Sequence, residues 1–290
     1  MNRALDLLLD GLYFGESPRW HDGRLWFSDF FDHQVKAVDS RGSVEVIVEV
    51  ANQPSGLGWL PDGRLLVVSM LDRTLMRLDD EGLVLHADLS GIATFHTNDM
   101  VVDGAGRAYV GNFGFDLDHA FATRGADTFA NHDTAVMARV DPDGSVHAVA
   151  DDLHFPNGTV ITPSGHTLIV AETMANRLTA FDIAPDGSLC GRRVWADLGR
   201  RLPDGICLDA DGNVWLANPA GSECVLVAEG GEVLDVITTE QPCLACMLGG
   251  ENGRTLHLVT CSTSVASVAA AARTGSIVTM QVDVPGAGRP

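Results

Sequence analysis

Polar and apolar positions alternate along the chain in a phrase that returns six times: a polar turn carrying glycine, a polar residue, then a short apolar run. It appears first as Asp22-Gly23-Arg24-Leu25-Trp26-Phe27 and next as Asp62-Gly63-Arg64-Leu65-Leu66-Val67. Ala105-Gly106-Arg107-Ala108-Tyr109-Val110 and Ser164-Gly165-His166-Thr167-Leu168-Ile169 follow. The last two copies are Asp211-Gly212-Asn213-Val214-Trp215-Leu216 and Asn252-Gly253-Arg254-Thr255-Leu256-His257. Glycine accepts the positive φ that a tight hairpin needs, so each phrase predicts the turn between the first two strands of a unit. The turn glycines are separated by 40, 43, 59, 47 and 41 residues. A unit of about 40–45 residues with four strands has the size of a propeller blade.

No long amphipathic helical pattern interrupts the repeat. The prediction is an all-β, six-bladed β-propeller with four-stranded blades, spanning residues 1–290 as a single domain. Ring closure removes exposed strand edges, and a ring needs its ends joined. Ala4–Leu9 and Gly275–Val282 both look like strands, and they are expected to share one blade. Asp141-Pro142-Asp143-Gly144 and Pro185-Asp186-Gly187 are further turns, and their aspartates are turn formers. The 59-residue interval holds an insertion at about 114–133 with Asp116, Asp118, His119, Arg124, Asp127 and His132. Long loops in compact domains are commonly functional, so it is expected to act as a lid over one channel mouth.

Charge narrows the partners. Thirty-nine acids face 19 bases, a net charge of -20, and Lys36 is the one lysine. No basic stripe appears, which argues against nucleic acid, and an acidic surface repels anionic membranes. Asp6 and Asp10 interrupt any apolar signal region after Met1-Asn2-Arg3. No run reaches the roughly 20 apolar residues of a membrane helix. A soluble, cytoplasmic protein is expected. The six cysteines (190, 207, 224, 243, 246 and 261) lack the spacing of a disulfide scaffold. Cys243-Leu244-Ala245-Cys246 is a lone pair without the second pair or close histidines of a zinc site. These thiols read as buried and inert.

The repeat also serves as a ruler. Eight residues before the later turn glycines stand Ser55, Asn98, Asn157, Asp204 and Ala245; seven before Gly23 stands Glu16. The innermost strand of every propeller blade lines the central channel, so equivalent positions form a ring about the axis. Glu16, Asn98, Asn157 and Asp204 are expected to converge from four blades. Two carboxylates balance a doubly charged cation and two amides add neutral oxygen ligands. Without sulfur in the set, calcium is favoured, then magnesium or manganese, with zinc the least suited. No Gly-x-Ser-x-Gly elbow, P-loop or dinucleotide fingerprint is present.

Glu16-Ser17-Pro18-Arg19-Trp20, Asn98-Asp99, Phe155-Pro156-Asn157-Gly158 and Pro203-Asp204-Gly205 together resemble the regucalcin/gluconolactonase family, also called the senescence marker protein family. The resemblance runs from the first motif to Met247-Leu248-Gly249-Gly250. It implies a six-bladed propeller, a divalent metal held by Glu16, Asn157 and Asp204, and Asn98 as a residue that binds substrate or completes the metal shell. It further implies that Asp204 is the general base and that a small lactone is the substrate. Sugar-lactone members often carry an arginine two positions before the asparagine. Here that place holds His96, a shorter side chain that is neutral near pH 7 in its ordinary state. His96 is therefore the expected substrate-contacting residue, and the case for a sugar lactone weakens.

The expected mechanism is metal-assisted hydrolysis, with a polarised carbonyl, an attacking water and Asp204 taking its proton. His96 or His154 are alternative partners in that proton transfer. His132-Asp133 is read as part of the insertion. Two rival functions share the site: a phosphotriesterase-like hydrolase and a non-enzymatic calcium- or ligand-binding propeller. A metal-free propeller synthase suits the four oxygen side chains less well.

Overall fold

The computed structural model describes residues 4–263 and 265–288. Met1, Asn2 and Arg3 lie outside them. Six four-stranded antiparallel sheets form a β-propeller. Five blades use four consecutive strands each. The sixth joins Cys243–Gly249, Thr255–Thr260 and Gly275–Gln281 to the N-terminal strand Asp6–Leu12. Asp6 pairs with Thr279 and Leu12 with Gly275, so the two ends of the chain close the ring as the pattern predicts.

All six turn glycines lie between the first and second strands of their blades, and all six have positive φ, from 72° at Gly253 to 88° at Gly63. The innermost strands are Gly15–His21, Pro54–Trp59, Thr97–Val102, Pro156–Ile161, Ile206–Leu208 and Cys243–Gly249. Each packs against the inner strand of the next blade, and the last packs on the first. Burial falls from this axis outwards. Leu65–Ser69 and Val214–Asn218, the second strands of two blades, are buried throughout, whereas the outermost strand Val44–Glu49 is largely exposed. A blade pressed between two neighbours is covered on both faces, so its inner strands carry continuous apolar runs.

The core lies between blades. Leu57 and Val67 of the second blade meet Val35 and Val50 of the first, and all four are buried. Each such side chain contributes about 1.5–3 kcal/mol relative to exposure. Five of the cysteines are buried, as expected; Cys190 is exposed because it sits on the outermost strand of the fourth blade. Among the described residues no helix is long and apolar enough to cross a membrane.

The insertion departs from the β pattern. It forms a helix at Leu117–Arg124 followed by a 3-10 turn at Gly125–Phe129. Asp116 caps the helix by accepting from His119 N at 3.0 Å. Two turns are too short to show a periodic apolar face. The aspartate cap with Asp118 in the first turn is the signal that marks its start. Leu117 and Phe121 of this helix pack with Phe115, Phe155 and Met174.

Candidate functional site

Five of the six inner strands contain a register shift at one end of the channel. The shifts fall between Glu16 and Arg19, Pro54 and Leu57, Thr97 and Met100, Pro156 and Thr159, and Cys243 and Ala245. A bulge inserts an unpaired residue and re-aims its side chain. The irregular stretches of four blades contain or begin at Glu16, Ser55, Asn98 and Asn157. In the fifth blade the strand begins only at Ile206, and Asp204 precedes it, held by its N–H to Ala217 O at 3.0 Å. The ring read from the repeat therefore sits where the pairing breaks.

Backbone conformation adds to this. Ser17, Gln53 and Phe155 have φ of 50°, 65° and 57°, and each precedes a proline. A left-handed residue without glycine costs about 1–2 kcal/mol, and such strain clusters at functional sites. Close packing fixes the inner strands further. A Cβ on Gly158 would lie 2.6 Å from Asp204 O, and one on Gly205 would lie 2.5 Å from Ala245 Cβ.

Glu16, Asn98, Asn157 and Asp204 all line one cavity of about 670 Å³. Asn98 Nδ2 donates to Asn157 Oδ1 at 3.1 Å, and Ser55 Oγ donates to Asn98 Oδ1 at 3.4 Å. Asn157 Nδ2 reaches Thr173 Oγ1 at 3.3 Å, and that hydroxyl donates to Pro203 O at 2.7 Å. Thr173 thus ties the fourth blade to the segment that carries Asp204. No feature of the repeat marks it, because it follows the second strand of its blade.

The electrostatics are unusual at this floor. Burial, with the nearby Asp204 and Asp99 charges, pushes the Glu16 carboxyl well above the ordinary range. Burial likewise raises Asp204, to about 8, although a hydrogen bond from Asn157 opposes it. Among the described residues neither carboxylate has a lysine or arginine partner. Arg19, three residues after Glu16, is committed elsewhere: it pairs with Asp99 at 2.5 Å and also donates to Met100 O at 2.7 Å. Both members of that buried pair lie inside the motifs Glu16–Trp20 and Asn98-Asp99, but the sequence does not show that they pair.

His96 lines the cavity and stacks on Phe95, with ring centroids 4.0 Å apart. Burial lowers its pKa, which keeps the ring neutral. His154 is placed differently from the alternative base considered above. It lies outside the cavity lining, and its Nδ1 meets His132 Nε2 of the insertion at 2.9 Å. His132 in turn bonds Thr128 O through Nδ1 at 3.0 Å. The two histidines join the insertion to the fourth blade.

The walls above the floor are aromatic. Phe14, Phe30 and Phe31 come from the first blade, Phe95 and Phe113 from the third, and Phe155 from the fourth. Phe121 and Phe129 of the insertion complete the mouth. Phe30 and Phe113 each stand seven residues after a turn glycine, and Phe14 and Phe155 each two residues before a ring position, whereas Phe95, Phe121 and Phe129 have no such counterparts.

The donor set fits a hard divalent cation. Two carboxylates without a basic partner face two amides, all donors are oxygen, and the cavity admits further oxygen ligands. Among the described residues no three His, Cys, Asp or Glu side chains gather as a metal cluster.

Residues 14–262 match the model of the SMP-30/gluconolactonase/LRE-like region. The chain is similar to a 6-deoxy-6-sulfogluconolactonase of Pseudomonas putida, 24% identical over 288 residues that cover 95% of this chain and 94% of that protein. It is also similar to a pentonolactonase of Haloferax volcanii, 28% identical over 267 residues covering 85% and 81%. In structure it resembles a calcium-binding protein, regucalcin, of Agrobacterium tumefaciens, with a TM-score of 0.79 at 21% identity over 100% and 97% of the two chains.

Proposed function

Because the chain belongs to the SMP-30/gluconolactonase/LRE-like family, we propose that its cavity hydrolyses a small lactone at a divalent cation. Glu16, Asn157 and Asp204 would hold the ion, with Asn98 beside them. The observation that carries this proposal is the pair of carboxylates, Glu16 and Asp204, that burial disfavours and no basic side chain neutralises. Leaving buried charges uncompensated costs several kcal/mol, and a doubly charged ion removes that cost. The two relatives named as lactonases support the substrate class.

When bound, the ion supplies Lewis-acid polarisation of the lactone carbonyl. The rest is the work of the chain. Asn98, held by Ser55 and Asn157, presents its amide to the substrate. Asp204 accepts a proton from the attacking water, whose oxygen bonds to the carbonyl carbon. The ring C–O bond then breaks, and Asp204 returns the proton to the leaving oxygen, giving the hydroxy acid. The aromatic walls keep bulk water from the reacting atoms.

The test strips the protein of metal and titrates it with calcium, magnesium, manganese and zinc, for wild type and Asp204→Ala. Turnover of lactones is expected to return with metal. Asp204→Ala is expected to lose at least about 10³-fold in kcat/KM, roughly 4 kcal/mol of transition-state stabilisation. Tight metal binding without turnover of any lactone would favour a binding propeller. No binding at all would sink the proposal.

A further inference from the structure

The chain has 11 phenylalanines, and eight of them face this one cavity. They arrive from three blades and the insertion, so the concentration is not a by-product of one apolar segment. Phe14, Phe30 and Phe155 also belong to two small buried clusters, distinct from the larger clusters between blades, which are built mainly of leucine, valine and isoleucine. Phe31, Phe95, Phe113 and Phe121 are only half-buried, and Phe129 is 38% exposed. Folding leaves their faces wet. A concave apolar wall beside a few convergent polar groups is the usual form of a small-molecule site. The rings are also arranged against one another: Phe113 meets Phe155 edge-on at 4.6 Å, and Phe121 meets Phe129 edge-on at 5.3 Å.

The polar groups are segregated. Those at the floor are the candidate ion and carbonyl site. At the rim, Asp116 is engaged as the helix cap. Among the described residues no lysine or arginine lines the cavity, while Glu16, Asp116, Asp118 and Asp204 do, with Gln53, His96, Asn98, His119, Asn157 and Thr173 as the other polar side chains. An anionic substituent would meet four acids and no lysine or arginine. A ring of hydroxyls would be pressed against phenylalanine faces, where each buried hydroxyl without a partner costs about 1–3 kcal/mol. The volume lies within the about 300–1,000 Å³ of pockets that enclose ligands far larger than a bare lactone ring.

Building on the lactonase proposal, we propose that the substrate is a neutral lactone carrying a hydrocarbon substituent, alkyl or aryl, which lies against the phenylalanine wall while the carbonyl faces the floor. Polyhydroxylated and anionic lactones are disfavoured.

The test separates binding from turnover. Non-hydrolysable 5-alkyl-2-pyrrolidinones with no, two, four and six side-chain carbons, and the polyhydroxylated gluconolactam, are titrated calorimetrically into wild-type protein with and without calcium. Affinity is expected to rise about threefold to fourfold per methylene until the chain fills the cavity, with gluconolactam at least about tenfold weaker than the hexyl compound on the same ground. Phe129→Ser, at the exposed end of the wall, is expected to weaken the hexyl compound about fivefold and leave the unsubstituted ring unchanged. In parallel, kcat/KM is measured for the matching alkyl γ-lactones and for gluconolactone. A flat affinity series, or gluconolactam binding best, overturns the substrate class. Gluconolactone turning over best also overturns it, yet leaves the lactonase proposal standing. A rising lactam series with no lactone turned over does the reverse: the apolar specificity stands and lactone hydrolysis falls.

Discussion

Glu172 on one hand, and Glu16 and Asp204 on the other, meet the same force with opposite results. Burial pushes all three carboxyls upwards. Glu172, fully buried, is nevertheless held below its ordinary value, because it accepts from Arg177 at 2.9 and 3.0 Å, from His154 N at 2.9 Å and from the Thr179 hydroxyl. Glu16 and Asp204 have no such cations and stay raised. One carboxylate is neutralised by the fold itself; the other two, on the proposal above, are neutralised by a bound cation. The difference teaches where structure ends and binding begins, since a protein does not leave buried charge unpaired without compensation.

The largest test of that contrast removes the internal cation. Arg177→Ala strands Glu172 in the interior with only Arg192 at 3.5 Å to replace the lost partner. The expected cost is about 3 kcal/mol, the lower end for a broken buried pair, read as a lower urea midpoint. Calcium affinity should change little, because Glu172 does not line the cavity. A large loss of calcium affinity with little loss of stability would reverse the roles assigned to the two regions.

A second test uses pH. Glu172 has a lowered folded pKa, so its contribution is present above the unfolded carboxylate range and is lost as pH falls through the folded value. Glu16 and Asp204 have raised folded values, so the folded state binds more protons than the unfolded chain. Without metal, their contribution is greatest at low pH and is lost as pH rises towards 8. Urea unfolding in chelator at pH 5, 6.5 and 8 should therefore show stability declining on the alkaline side. Calcium at about 100 times its Kd should add about 2.7 kcal/mol, flattening that decline. Stability that rises towards pH 8 in chelator would contradict the unpaired state of the two carboxylates.

What the sequence discloses follows from the same division. The fold is legible because ring closure demands equal units, and the six turn glycines report that period directly. Glu16, Asn98, Asn157 and Asp204 are legible because they share one phase of the period. The Arg19–Asp99 pair is hidden: 80 residues separate its members, and only the third dimension joins them. Part of the aromatic wall is hidden for a related reason. Phe95, Phe121 and Phe129 occupy a connection and an insertion, where the chain departs from the repeat. His154 shows the limit of reading single residues, since its partner, His132, is supplied by the insertion.

The smallest test concerns the backbone that holds Glu16. Ser17 sits at φ 50°, directly before Pro18, and its N–H reaches Glu16 Oε2 at 3.3 Å. Ser17→Gly relieves about 1–2 kcal/mol of left-handed strain, but glycine adds about 0.5–1 kcal/mol of unfolded-state freedom. The net gain in stability is expected to be about 0.5 kcal/mol. If the strain serves to aim Glu16, calcium affinity should fall severalfold in calorimetric titration even though the protein is no less stable. Glu172, whose approach carries no left-handed residue on either side, offers no equivalent substitution: a carboxylate neutralised internally is held by its partners, whereas one that awaits an ion has to be held by its backbone. Unchanged calcium affinity in Ser17→Gly would mean that the bulge alone positions Glu16 and that the strained residue is incidental.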